Sequence, residues 1–317
     1  MRRRTGRTVL GLGLFAAVAA TVSCEKKTGD ATPVGPVGGK PVIYTTFYPT
    51  KYFAERIGGD AVEVVCPVPA DEDAIFWMPD AQAIAEYQKA DLIVLNGAEF
   101  AKWVAKVSLP QAKVVDTAKP FENRFVKFEK STTHSHGPAG LHEHKGIDGH
   151  TWVDPVNAKI QAGEILKAMK KRFPEHSAAF DKNWKGLAAD LDGLDKALSE
   201  LTKQLGDRPL LASHPAYNYV RSRYKWKIAS LDLDPEEMPS DQTFAQIKAL
   251  LGRLPAKLIL WEAYPKEEIA KRFGSDLGLV SVEFSPCELL GDVEIEAGSD
   301  YLKVMKTNIE NVRKALE

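Results

Sequence analysis

The sequence predicts an α/β protein with two four-stranded parallel-sheet lobes joined by one long rigid helix. Short β-rich runs alternate with helical stretches in two separate halves, the pattern of parallel strands with helical crossovers. Between the halves, Phe180, Trp184, Leu187, Leu191, Leu194, Leu198, Leu201 and Leu205 recur every three or four residues, an apolar stripe along one helix face. At 317 residues, 44% hydrophobic and 27% charged, the chain is long enough to build both cores.

The chain opens with Arg2, Arg3, Arg4 and Arg7, an apolar run from Val9 to Val22, and Ser23-Cys24. This order reads as a signal peptide over residues 1–23 and an exported protein. The cleavage region is similar to a bacterial lipobox, which would make Cys24 the lipid-bearing first residue of a membrane-anchored mature chain. Thr21 stands where that motif usually has Leu, so a plain cleaved signal stays open. Residues 24–40, beginning Glu25-Lys26-Lys27 after the cysteine and then rich in Gly and Pro, read as a flexible tether. No later segment has the ~20 unbroken apolar residues of a membrane helix. Without its first 23 residues the chain carries 38 basic against 43 acidic side chains, a net charge of −5. That balance speaks against nucleic acid as a partner, because phosphate binding needs a cationic face.

The N-terminal lobe is assigned to 41–173. Its strands are read at Val42 to Phe47, Ala61 to Cys66, Asp91 to Leu95 and Lys113 to Asp116, with helices at Pro49 to Ile57, Asp80 to Ala90 and Glu99 to Val107. The linking helix is assigned to 174–206, with Pro174 in its first turn and Gly206 just past its end. Its stripe favours packing along its own chain, as a monomer, over a coiled-coil partner. The C-terminal lobe, 207–317, repeats the pattern with strands at Pro209 to Ser213, Lys227 to Leu231, Lys257 to Trp261 and Leu279 to Glu283. Cys66 and Cys287 are too few to specify a disulfide framework and read as buried thiols, with a bridge or a metal as alternatives.

In open parallel sheets ligands bind at the carboxyl ends of the strands. His214 directly follows the first C-lobe strand and Glu283 closes the last. The stretch from Cys66 to Asp73 follows the second N-lobe strand, and His150 immediately precedes a helix that starts near Val156. Imidazoles and carboxylates from separate loops make a plausible shell for zinc or manganese. Of seven histidines, His134, His136, His142, His144 and His150 fall within seventeen residues. The segment 131–146 lacks apolar periodicity and reads as a mobile, loosely chelating loop.

At these positions the chain resembles the metal receptors of bacterial zinc and manganese ABC importers, the ZnuA/TroA type. Gly149-His150-Thr151-Trp152-Val153-Asp154-Pro155 is similar to their His-x-Trp-x-Asp-Pro motif, and Ser213-His214-Pro215-Ala216-Tyr217-Asn218-Tyr219 to their His-x-Ala-x-x-Tyr motif. The resemblance implies a solute-binding protein that captures a divalent ion between two lobes and passes it to an ABC permease, without catalysis. It implies His150, His214 and Glu283 as ligands and the loop histidines as accessory sites. The family's first histidine falls on Ile75, so Asp73 or Glu72 is the expected substitute. Zn2+ is favoured by the imidazole-rich loop, with Mn2+ or Fe2+ as alternatives. An exported zinc hydrolase and a receptor for a different small solute are the competing readings.

Overall fold

The computed structural model describes residues 39–69, 72–128, 132–135, 141–144 and 146–317. Cys24 and His136 lie outside these residues. The first sheet contains β1 (Val42–Thr45), β2 (Glu63–Val65), β3 (Leu92–Leu95) and β4 (Val114–Asp116), all parallel, in the order β2-β1-β3-β4. Helices α1 (Tyr48–Gly58) and α2 (Ala81–Lys89) make its first two crossovers. Asp80 caps α2 by accepting a bond from the Ala83 amide at 2.7 Å.

The segment read as a loop between residues 131 and 146 forms an antiparallel ribbon where it is described. Strands β5 (Thr132–Ser135) and β6 (Leu141–His144) pair with His134 opposite His142 and Thr132 opposite His144. Thr-rich, alternating sequence suits a pleated ribbon.

Helix α3 (Pro155–Arg172) and a 3-10 turn at Pro174–His176 lead into α4 (Ser177–Leu205), which has 29 residues and is about 43 Å long. Gly206 ends α4 with φ 57°, donating its amide to the Thr202 carbonyl. The stripe residues from Phe180 to Leu205 are buried except Trp184, which is half-buried. They pack against α3, α1 and the terminal helix, so the apolar face is consumed within the chain.

The second sheet repeats the first. Strands β7 (Leu210–Ala212), β8 (Ile228–Ser230), β9 (Leu258–Trp261) and β10 (Val280–Glu283) stand in the order β10-β9-β7-β8. Helices α5 (Asn218–Tyr224), α6 (Asp241–Leu251) and α7 (Glu267–Leu277) cross between them; α8 (Asp292–Glu296) and α9 (Tyr301–Leu316) close the chain. Strand order reverses between β1 and β3 in one sheet and between β7 and β9 in the other. Such reversals open the crevice where ligands bind.

One expected helix is absent. Residues Glu99 to Val107 form bends and a 3-10 turn at Lys102–Lys106, because Gly97, Ala98 and Glu99 take φ of 80°, 49° and 56°. Three left-handed residues in succession cannot begin a right-handed helix. Cys66 and Cys287 are both free thiols, half-buried and buried respectively. Among the described residues no helix is long and apolar enough to cross a membrane.

The two lobes share one core, although the other face of each sheet packs a cluster of its own, around Trp103 in the first and Trp261 in the second. One cluster of buried side chains runs from Ile43 and Leu92 of the first sheet through the α4 stripe to Leu210 and Leu258 of the second. A hinge would have to break this packing. The change in radius of gyration on metal binding, read by small-angle X-ray scattering, is therefore expected to stay below about 1 Å.

Candidate metal centre

His150 is held from behind. Its Nδ1 lies 2.7 Å from Asp148 Oδ1, which also accepts the His150 backbone amide at 2.9 Å, while Asp148 Oδ2 accepts Asn218 Nδ2 at 3.0 Å. This fixes the ring with Nε2 forward, 2.9 Å from Glu288 Oε1. Gly149 is needed for the close approach, since a Cβ there would come within 3.1 Å of the Phe100 Cα. On the far side Asp154 caps α3 through the Val156 amide and pairs with Arg223 Nε at 2.6 Å. Burial alone would lower the His150 pKa, but Asp148 and Glu288 outweigh it and raise it to about 10.

His214 emerges from the end of β7 with 4% of its surface exposed, its ring centroid 5.6 Å from that of His150. Its Nδ1 lies 3.7 Å from Glu262 Oε2. Glu262 is the first residue after β9. Burial first, then the charges of Glu288, Asp73 and Asp234, raise its pKa to about 8 against the opposing pull of His150.

Glu288 sits in the loop after β10, and its position is set from several directions. Asn308 of α9 grips Ser285 twice, accepting its amide at 2.9 Å and donating to its carbonyl at 2.7 Å. Ser285 Oγ accepts the Cys287 amide, and Cys287 takes a left-handed φ of 59° that turns the next residue inward. Trp152 Nε1 donates to the Pro286 carbonyl at 2.7 Å, and the Tyr48 amide reaches the Glu288 carbonyl at 3.4 Å. The loop thus bonds to both lobes. Asn308→Ala is expected to cost about 1–3 kcal/mol in urea unfolding, because two part-buried backbone groups lose their partner. Metal titration of the same variant is expected to show weaker binding, since Glu288 loses its anchor.

Ligand atoms of His150, His214 and Glu288 lie within 4.8 Å of one another. Two imidazoles and a carboxylate suit a borderline divalent ion. The sequence-derived carboxylates are placed elsewhere. Glu283 ends β10 outside this group, its carbonyl accepting from Asn311, and Glu288 stands where Glu283 was expected. Asp73 is also outside it: its Oδ1 accepts the Ile75 amide at 2.8 Å and closes its own turn. Glu72 is exposed, and Ile75 is buried in the core. Glu288 had one sequence signal, as the next carboxylate after β10; nothing local showed that the loop folds back.

The protein resembles known ones along nearly its whole length. Over 284 residues it is 28% identical to the zinc-binding lipoprotein AdcA of Streptococcus pneumoniae, covering 88% of this chain and 56% of that protein. It therefore spans little more than half of that relative. Over 319 residues it is 28% identical to the high-affinity zinc uptake system protein ZnuA of Bacillus subtilis, covering 96% and 97% of the two chains. The crystal structure of the metal-dependent lipoprotein YcdH from Bacillus subtilis superposes with a TM-score of 0.75 at 26% identity, covering 87% of this chain and 98% of that one. The family model for zinc-uptake complex component A, periplasmic, matches residues 43–315, and the chain belongs to that family.

Proposed function

We propose that this protein is an exported receptor that captures a divalent metal ion, zinc foremost, and delivers it to the permease of an ABC importer. The single observation that carries the reading is the convergence of His150, His214 and Glu288 from both lobes. Manganese and ferrous iron are the alternative cargoes. The mature chain is a monomer tethered to a membrane through a lipid on Cys24, with the lobes divided at 41–173 and 207–317 around the helix 174–206. The zinc-binding and zinc-uptake names of the relatives support the cargo.

Dialysed mature protein, counted for metal by plasma mass spectrometry and assayed on ester and peptide substrates, provides the test. One tightly held ion per chain without turnover is expected. Steady hydrolysis would move the protein to the zinc-hydrolase class.

The segment bearing His134, His136, His142 and His144 serves as an accessory collector. Deleting residues 131–146 is expected to leave the tight site intact while reducing the number of weakly bound ions. Loss of the tight site in that variant would place one of these histidines on the principal ion.

A further inference from the structure

We propose that Glu262 supplies the fourth donor to the captured ion, completing a set of two imidazoles and two carboxylates. This rests on the receptor reading above and specifies its coordination chemistry. Three donors converge from His150, His214 and Glu288, whereas a closed zinc site takes four. Two neighbouring carboxylates have bonds of their own within the chain. Asp148 spends both oxygens on His150 and Asn218. Asp73 closes its own turn, and Ile75 has no lone pair to offer.

Glu262 is placed differently. It leaves β9, the strand lying between β7, which leads to His214, and β10, which leads to Glu288. In register, Trp261 pairs with Glu283 and Leu260 with Ala212, so the three chain ends exit side by side at the reversal of strand order. Its Oε2 lies 3.7 Å from His214 Nδ1. Two donors bonded to one tetrahedral ion at about 2.0–2.2 Å stand roughly 3.3–3.6 Å apart. The observed separation from His214 is close to that range. With Glu288 it then balances the two positive charges of the ion, which an interior site requires. The resulting set is harder than one dominated by imidazole, so preference for zinc over manganese or ferrous iron is narrowed.

The deciding experiment is a crystal structure of the zinc-loaded mature protein, with the ion located by anomalous scattering. A Glu262 oxygen within about 2.2 Å of the ion is the expected result. An ion on His150, His214 and Glu288 with Glu262 beyond about 3 Å overturns the proposal and leaves the receptor reading standing. The absence of any ion at these residues overturns both. In solution, Glu262→Gln is expected to weaken zinc by more than about 100-fold and to alter the visible spectrum of the cobalt(II)-loaded protein. Loss below about 10-fold with an unchanged cobalt spectrum would assign Glu262 no bond to the metal.

Discussion

Replacement of His214 by alanine is expected to weaken zinc binding by at least about 100-fold, and replacement of His150 to do the same. Outer groups that merely orient a ligand are worth roughly 10–100-fold in metal affinity, so loss of an imidazole from the inner group should exceed that range. The two variants differ in their cost to the fold. His214 leaves from a strand end. His150 is gripped by Asp148 at 2.7 Å and by Glu288 at 2.9 Å, so its removal takes one partner from each carboxylate and costs stability by about 1–3 kcal/mol as well. Calorimetric titration against a competing chelator, paired with urea unfolding, separates the effects. Near-wild-type affinity in folded His214→Ala would remove that residue from the site.

The largest loss of stability is expected from Trp152→Ala, at about 3–5 kcal/mol. The ring is wholly buried, packs at 4.5 Å from Phe47 and 4.9 Å from Phe100, and bonds across the cleft to the Pro286 carbonyl. The cavity would open beside the loop that carries Glu288, so metal affinity should fall in the same variant. Trp152→Phe keeps most of the buried area and isolates the lost hydrogen bond. A cost below about 1 kcal/mol for Trp152→Ala in urea unfolding would show that the two faces collapse together without strain.

The sheets were legible because central strands covered on both faces read as unbroken apolar runs, as in Leu258–Trp261. The long helix was legible because its stripe never loses phase. His150 and His214 could be located because each lies next to the end of an element, where local sequence fixes position. Glu288 could not. Its place depends on a left-handed Cys287 and on Asn308, twenty residues further along on another helix. The turn at Ala98 and Glu99 was hidden for the same reason: non-glycine residues with positive φ carry no reliable signature. Glu262 was overlooked although it follows β9 as closely as the Ser213-His214 pair follows β7.

The core shared by the two lobes also has a temporal consequence. Tyr301, near the end of the chain, packs against Phe53 at 5.1 Å and donates its hydroxyl to the Trp152 carbonyl at 2.8 Å. The first lobe is therefore completed by a helix that follows the second. At about 5–20 residues per second, synthesis from Phe173 to Tyr301 takes roughly 10 s. During that interval Phe53 lacks the Tyr301 ring and the α4 stripe lacks the side that α9 covers. A chain stopped before Tyr301 is expected to aggregate rather than yield a stable first lobe.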